Sequence, residues 1–414
     1  MLFPPAMTPP RIALLVTGGI AAYKAPILAR ELVRRGADVR VAMSASAQRF
    51  VGPLTFAGLL GKAPIVDLWD ASGGEAHVEL AAWADLLLVA PATANVLAKM
   101  THGLADDVVT ATLLCARGAV MVAPAMHTRM WDHVATQENV EKLRARDVTF
   151  IGPVHGALAS GEEGAGRMAE PETIAKAAMH SLSPKDLAGA TILVSAGPTH
   201  EPIDPVRFVG NRSSGKMGYA IAERAADRGA HVFLVSGPVS LPVPAGVEIV
   251  RVKTALEMQD AIELHPADAV IMAAAVADYR PREVASQKLK KQMKGDGTRT
   301  VDLVRNPDIL ATLGADRKSS RSARPILVGF AVETEKLIES AKKKLVSKGA
   351  DLIVANHASV AFEGDASEVM FVDKKGVTKL GTLAKRDTAD RILDRVAAML
   401  EPPSGPARRT PTSD

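Results

Sequence analysis

Short apolar runs rich in β-branched residues alternate with amphipathic stretches along the 414-residue chain. Strands that alternate with helices are typical of βα units, which place a parallel sheet between layers of helices. The first half contains four strand candidates, at residues 12–17, 39–43, 85–90 and 119–123. The second half contains five more and a hairpin, at residues 191–197, 232–237, 269–275, 325–330, 351–356 and 369–380. The pattern predicts an α/β fold with two doubly wound, Rossmann-like domains whose sheets are mostly parallel.

A polar, proline-containing stretch, HSLSPKDLAGA, separates the two sets of strands, so we expect the domain boundary there. The predicted organisation is a disordered leader, a first domain, a linker, a second domain and a disordered tail, at residues 1–10, 11–180, 181–188, 189–401 and 402–414. Doubly wound domains bind ligands beyond the carboxyl ends of their strands. Two separate sites are therefore expected in one chain.

Composition narrows the classes of partner. The chain is 47% apolar and 23% charged with a formal net charge of +4, as in ordinary globular proteins. It has no dense basic stripe with interleaved aromatic residues, which argues against nucleic acid as the main partner. It also has no apolar run long enough to predict a membrane span. The single cysteine, Cys115, suits a reducing compartment, and its apolar neighbours predict a buried side chain. Together these features favour a cytoplasmic protein that acts on small molecules.

Two loops of the first half have groups suited to a phosphate. The segment LLVTGGIAAYKA runs from a strand through Gly18 and Gly19 into a helix, whose first N–H groups are open to an anion. The segment VAPATANVLAKMTHGLADD places the polar side chains of Thr93 and Asn95 directly after a later strand. The glycine pair does not fit G-x-G-x-x-G, so an NAD site is only weakly indicated, and a simple packing turn is the alternative.

Five motifs follow one another through the first half: TGGIAAYK, AHVEL, PATAN..AK..HG.ADD, PAMHTRMW and GRMAEPE. Their order and spacing resemble the homo-oligomeric flavin-containing cysteine decarboxylases, specifically phosphopantothenoylcysteine decarboxylase, over nearly all of residues 11–180. The resemblance implies a flavodoxin-like fold with His77 as catalytic base and a substrate site that includes Met126 and His127. It also implies that FMN lies against Gly18, Gly19, Ser44, Thr93 and Asn95.

The implied chemistry removes a carboxylate that has no electron sink of its own. Oxidation of the thiol-bearing carbon to a thioaldehyde by FMN would supply that sink, and the reduced flavin would then restore the product. Two positions differ from the family pattern, because His127 replaces the asparagine of PAMN and Ser160 replaces a flap cysteine. Both side chains can still donate hydrogen bonds to a substrate, so Ser160 remains a candidate catalytic residue.

In the second half, residues 210–217, GNRSSGKM, fit the spacing of a P-loop except that Met217 replaces the hydroxyl residue that binds Mg²⁺. A P-loop follows its strand directly, whereas here roughly a dozen residues with several prolines intervene. The P-loop interpretation therefore fails. The stretch instead predicts a helix from about Gly215, with Ser213 or Ser214 as an ordinary N-cap.

Further charged positions follow later strands of the second half. Asp278 comes after a buried strand and offers a carboxylate to Mg²⁺. Lys344 and Lys348 share a helix face at i,i+4, which is unfavourable for stability but suited to a triphosphate. The run KLKK at 288–291 is otherwise typical of a solvated charged surface.

The motifs DPVRF..NRSSGKMG and AAAVADYRP...KLKK resemble the bacterial, CTP-using phosphopantothenate–cysteine ligases, and the resemblance covers roughly residues 189–400. It implies that Asn211 holds an acyl-cytidylate, that Lys288 serves the attack of cysteine, and that Asp278 binds Mg²⁺. The other positions implied around CTP are Ala273, Ala274, Pro307, Asp308, Ile309, Leu310, Phe330, Lys344 and Lys348. Joining a carboxylate to CMP, with loss of pyrophosphate, converts a poor acyl donor into a good one.

The two implied reactions are consecutive steps of coenzyme A biosynthesis, from 4′-phosphopantothenate and cysteine to 4′-phosphopantetheine. The prediction is a bifunctional enzyme that uses FMN, Mg²⁺ and CTP and forms homo-oligomers, with trimeric decarboxylase contacts and dimeric ligase contacts in an assembly as large as a dodecamer. Two alternatives stay open. One is an active ligase fused to a non-catalytic FMN-binding or regulatory domain, and the other is a pair of nucleotide-binding modules of an unrelated dehydrogenase.

Overall fold

The computed structural model describes residues 9–69, 75–157, 163–290, 299–333, 337–357 and 366–400. The chain divides into two compact units, Met1–Ser183 and Pro184–Asp414, and each contains its own hydrophobic core on both faces of a central sheet. Among the described residues, no helix combines the length and the apolar character that a membrane crossing requires.

The first unit is built on a five-stranded parallel sheet in the order β2-β1-β3-β4-β5. Its strands are β1 (Arg11–Val16), β2 (Asp38–Met43), β3 (Leu86–Ala92), β4 (Ala119–Pro124) and β5 (Thr149–Phe150). Every residue of β3 is buried, because helices cover both faces, and this explains its continuous apolar sequence. The strand order is that of flavodoxin-like folds, which confirms the predicted fold class.

In the described part of the first unit, α-helices, two short 3₁₀ helices (Ile20–Lys24 and Ala47–Arg49) and an antiparallel ribbon accompany the sheet. The helices are α1 (Ala25–Arg34), α2 (Pro53–Leu60), α3 (Ala76–Trp83), α4 (Ala94–His102), α5 (Val108–Leu114), α6 (Thr128–Trp131), α7 (Val134–Arg144) and α8 (Pro171–Ser181). The ribbon pairs β6 (Val154–Ala157) with β7 (Glu163–Arg167). Helix α8 includes Ser181, which the sequence had placed in the linker.

The second unit contains an eight-stranded sheet in the order β12-β11-β8-β13-β16-β17-β18-β19. Its strands are β8 (Thr191–Ala196), β11 (His231–Ser236), β12 (Val247–Arg251), β13 (Ala269–Met272), β16 (Ile326–Glu333), β17 (Leu352–His357), β18 (Ala366–Asp373) and β19 (Gly376–Ala384). The first six strands in this order are parallel and the last two form an antiparallel hairpin. The parallel part has the Rossmann order, which reverses between β8 and β13.

Two small antiparallel ribbons and several further helices lie in the described part of the second unit. One ribbon pairs β9 (His200–Pro202) with β10 (Phe208–Gly210), and the other pairs β14 (Tyr279–Pro281) with β15 (Leu303–Arg305). The helices are α9 (Lys216–Asp227), α10 (Ala255–Glu263), α11 (Ile309–Ser319), α12 (Leu337–Ser347) and α13 (Lys385–Leu400).

Two local expectations are wrong. Helix α9 is preceded by Gly215 as N-cap with no side-chain cap, so neither Ser213 nor Ser214 caps it. Gly215 has a φ of +74°, and a Cβ there would lie 2.9 Å from a Val239 methyl, so the turn requires glycine. Cys115 ends α5 and is partly exposed, because the last turn of that helix reaches the surface.

A buried arginine ties three parts of the second unit together. Arg228, which follows α9, is 1% exposed, and its guanidinium binds Asp186 at 2.5 Å and Asp394 of α13 at 2.8 Å. Leu187 belongs to the hydrophobic core of the second unit, so residues within the predicted linker pack against that unit. A buried charge is tolerated only when it is paired in this way.

We therefore expect Arg228→Ala to lower the free energy of unfolding of the second unit by about 3 kcal/mol, because it leaves two carboxylates without their cation. The exposed pair Arg282–Asp302 is the matched control, since Arg282→Ala should cost less than about 1 kcal/mol. Hydrogen exchange of β8 and β11 amides in rising urea measures both. Equal destabilisation by the two substitutions would contradict the role of Arg228.

Candidate functional site

A cavity of about 890 Å³ lies at the carboxyl edge of the first sheet, where the strand order reverses between β1 and β3. Small-molecule pockets in proteins measure about 300–1,000 Å³, so its size suits a cofactor with part of a substrate. The cavity brings together seven of the residues singled out in the sequence: Gly18, Gly19, Ser44, Thr93, Asn95, Met126 and His127. These come from the loops after four successive strands.

Close packing holds the loops around the cavity in place. A Cβ on Gly18 would lie 2.3 Å from the Cβ of Ser46, so the loops after β1 and β2 meet only because residue 18 is glycine. Thr17 donates a hydrogen bond of 2.7 Å from its hydroxyl to the carbonyl of Pro91, which joins the loop after β1 to the end of β3. Thr93 caps α4 by accepting from the N–H of Val96.

The cavity also contains chemistry suited to a phosphate and a flat apolar ring. After Gly19 a short 3₁₀ helix begins without a side-chain cap, and free N–H groups at a helix start favour an anion. Ile20, Met130 and Met168 add apolar surface to the lining. These features fit a flavin nucleotide.

Three basic residues of the cavity were missed by the sequence analysis. Lys24 is 6% exposed and its ammonium lies 3.1 Å from Glu170, which Arg167 also contacts at 2.6 Å. Lys99 pairs with Asp106 at 2.6 Å, and this hydrogen bond raises the pKa of Lys99. All three occur inside the quoted motifs, but the sequence around a lone basic residue does not reveal whether its side chain faces a cavity or water.

Two predicted catalytic residues are not placed in this cavity. His77 lies in the first turn of α3, is half-buried, and is not among the described residues that line the cavity. Its Nδ1 atom is buried without a hydrogen-bond partner in the part of the chain that the structure describes. Ser160 lies outside the described residues.

In the second unit, the loops after β8 and β13 meet at the reversal of strand order. The N–H of Ala274 donates to the Ser195 hydroxyl at 3.2 Å, and the N–H of Ala277 donates to the Thr199 hydroxyl at 3.0 Å. Asn211, directly after β10, donates from its side-chain amide to the carbonyl of Val276 at 2.9 Å. The structure therefore places Asn211 beside the loop that contains Ala273 and Ala274.

A buried asparagine connects this loop to the start of α11. The backbone N–H of Asn306 donates to the Asp278 carbonyl at 2.8 Å, and its side-chain amide donates to Ala277. Pro307 and Asp308 follow Asn306 directly, so Asp278 and Asp308 are brought to one side of the unit. The next two predicted residues, Ile309 and Leu310, are buried in the core and can act only through packing and backbone groups.

The two predicted lysines both have partners. Lys344 donates to the Phe330 carbonyl at 2.6 Å, and Lys348 forms an ion pair with Asp308. Burial acts to raise the pKa of Asp308, but the hydrogen bonds from Lys348 and from the N–H of Ala311 outweigh it and lower the pKa. The like-charge repulsion expected from i,i+4 spacing is thus offset, and four of the residues expected around CTP lie together.

Exposed carboxylate and lysine groups complete this region. Asp278 and Lys288 are both exposed. Within the described ranges, no group of three or more acidic, histidine or cysteine side chains is arranged to hold a metal ion. Mg²⁺ is commonly bound by one or two carboxylates together with substrate phosphates, so the single carboxylate of Asp278 fits a metal that arrives with a nucleotide.

Comparison with known protein families divides the chain into the same two units. The family model "Flavoprotein" matches residues 4–183, and the model "DNA/pantothenate metabolism flavoprotein C-terminal domain" matches residues 187–400. Fold, cavity and family models together define a flavoprotein with a second, distinct functional unit.

Named relatives extend over both units. The coenzyme A biosynthesis bifunctional protein CoaBC of Vibrio cholerae is 45% identical over 86% of this chain and 88% of its own. CoaBC of Mycobacterium tuberculosis is 45% identical over 95% of this chain and 97% of its own. A solved structure of the C-terminal domain of CoaBC is 43% identical and covers 52% of this chain and 98% of that chain, with a TM-score of 0.44. The chain belongs to the family of bifunctional coenzyme A biosynthesis proteins, which confirms the family resemblance inferred from the motifs.

Gly18→Ala tests the cavity. The added methyl group would strain the contact with Ser46 by about 1–3 kcal/mol, and the displaced loop should weaken flavin binding about tenfold or more. The visible absorbance of flavin per purified chain, followed by titration, measures this loss. Gly58→Ala is the matched control, because a Cβ there meets nothing within 4 Å. Wild-type flavin content in Gly18→Ala would show that the cavity does not bind the flavin.

Proposed function

We propose that this chain joins 4′-phosphopantothenate to cysteine using CTP and then decarboxylates the product to 4′-phosphopantetheine. The observation that carries the proposal is that family membership spans both units while seven residues predicted to contact the cofactor or the substrate line one cofactor-sized cavity. Use of FMN, Mg²⁺ and CTP, assembly as a homo-oligomer and a cytoplasmic location belong to the same proposal.

For decarboxylation, FMN supplies a reversible oxidant that gives the departing carboxylate an electron sink. The N–H groups after Gly19 would hold its phosphate, and Thr93 and Asn95 would contact it from the opposite loop. Met126 and His127 would contact the substrate, with Ser160 as a further hydrogen-bond donor. His77 lies apart from the cavity lining of its own chain, so we propose that trimeric contacts bring His77 of one copy to the cavity of another.

For ligation, the phosphopantothenate carboxylate attacks the α-phosphorus of CTP and pyrophosphate leaves. Asn211 would hold the resulting acyl-cytidylate, while Asp278, through Mg²⁺, and the lysines 344 and 348 would bind the phosphates. Ala273, Ala274, Pro307, Asp308 and Phe330 would shape the nucleotide site, supported from the core by Ile309 and Leu310. The cysteine amine then attacks the acyl carbon beside Lys288 and releases CMP.

A second candidate is an active ligase fused to a flavin-binding domain that does not decarboxylate. The presence of His127 and Ser160, where the family pattern has asparagine and cysteine, favours it. The full chain should be incubated with 4′-phosphopantothenate, cysteine, CTP and Mg²⁺, and the products followed by mass spectrometry. We expect pyrophosphate, CMP, CO₂ and 4′-phosphopantetheine. Accumulation of phosphopantothenoylcysteine alone would contradict bifunctionality and favour the second candidate.

The role of His77 has its own test. Loss of a general base costs about 10²- to 10⁴-fold in rate, so His77→Asn should reduce CO₂ release by at least about 10²-fold and leave ligation unchanged. The control is His133→Asn, because His133 is exposed and asparagine preserves its N-cap role at α7. Each activity is measured separately with its own substrate. Equal loss of both activities in His77→Asn would contradict its assignment as the decarboxylase base.

A further inference from the structure

A buried carboxylate occupies the turn between β9 and β10. The side chain of Asp204 is 0% exposed, and its two oxygens accept five hydrogen bonds. Val206 and Arg207 donate from backbone N–H groups at 2.9 and 2.8 Å, and the Arg207 guanidinium donates at 3.0 and 2.5 Å. The hydrogen bonds from Arg207 outweigh burial and hold the pKa of Asp204 well below its usual range. Asp204 is therefore a permanent anion.

The fifth donor comes from a distant part of the chain. The N–H of Leu289 donates to Asp204 at 3.1 Å, and the Leu289 carbonyl accepts from Arg207 at 2.9 Å. Four residues earlier, the N–H of Ala285 donates to the Ile203 carbonyl at 3.0 Å. Both ends of segment 285–289 are thus fastened to one turn. A turn stabilised only for its own sake would need none of these three bonds.

This turn connects two residues proposed for consecutive steps of ligation. Asn211 directly follows β10, the strand that leaves the turn, whereas Lys288 directly precedes the fastened Leu289. The exposed side chain of Lys288 forms no hydrogen bond or ion pair with the described residues. Its position relative to Asn211 is consequently set by the backbone on either side of it.

We propose that Asp204 is a positioning residue that holds Lys288 for transfer of the activated acyl group to cysteine, an inference that rests on the proposed function of the second unit. In this step the C–O bond of the mixed anhydride breaks and a C–N bond to the cysteine amine forms. CMP leaves with the electron pair, the amine proton is released to solvent, and the Lys288 ammonium offsets the negative charge that develops. Formation of the acyl-cytidylate precedes this step and does not require the contact between Asp204 and Leu289.

Asp204→Asn keeps the shape of the side chain but removes its negative charge. It also places an amide NH₂ group, itself a donor, against the donors that bind Asp204. Misplacement of a catalytic group by about 1 Å can cost on the order of a hundredfold in rate. We expect transfer to cysteine to slow by at least about tenfold while pyrophosphate release changes by less than about threefold. Single-turnover measurements with and without cysteine separate these steps. Asp302→Asn, in an exposed ion pair of the same unit, should change neither.

A second measurement, which does not depend on enzyme activity, accompanies the kinetic experiments. Limited trypsin cleavage of the full chain after Lys290, the exposed residue that follows Leu289, should be faster in Asp204→Asn than in wild type or Asp302→Asn. Leu289→Pro removes the donor from the other side of the same bond and should reproduce both effects with Asp204 intact. Equal slowing of both steps, or unchanged transfer with unchanged cleavage, would overturn the positioning role. Failure of wild type to release pyrophosphate would contradict the proposed function, and the cleavage rates would still decide whether Asp204 fastens the segment.

Discussion

Both units depend on the burial of a parallel sheet on its two faces. Helices occupy those faces, so polar ligands reach the sheet only at its edges, and the carboxyl edge is open where neighbouring strands connect in opposite directions. In the first unit this reversal lies between β1 and β3, and in the second between β8 and β13. The loops at these two points contain several of the proposed flavin residues, such as Gly18 and Thr93, and several of the proposed nucleotide residues, such as Ala273 and Asp278. The same topological constraint therefore produces two sites of different chemistry.

Local sequence is sufficient to predict those features that depend only on one strand and the loop that follows it. Buried parallel strands such as β3 require continuous apolar residues, and the residues after them lie at the carboxyl edge by necessity. For that reason Gly18, Thr93 and Asn95 could be placed at one site before the structure was known, and the structure gathers them in one cavity. The fold class followed from the same alternation of strands and helices.

Features that depend on contacts distant in sequence could not be predicted. The tie between Asp204 and Leu289 spans 85 residues, and no spacing rule relates the two motifs that contain them. Helix capping by Gly215 depends on the approach of Val239, so the neighbouring serines misled the prediction. His77 occurs in a recognisable motif, but whether a motif residue lines the cavity of its own chain depends on three-dimensional packing, and His77 is not among the described lining residues.

The buried ionic clusters around Arg228 and Asp204, both in the second unit, show that the position of a buried charge determines what its pairing does. Arg228 joins elements of the core, because its two carboxylate partners come from the chain before β8 and from α13. Loss of this pairing should therefore lower the free energy of unfolding. Asp204 instead joins a ribbon turn to a surface segment, and an apolar turn could have been closed without a charge. The Asp204 carboxylate adds a directional hydrogen bond to a backbone group distant in sequence, the N–H of Leu289. Because that peptide adjoins Lys288, the role proposed for Lys288 in ligation would depend on the Asp204 cluster and not on the Arg228 cluster.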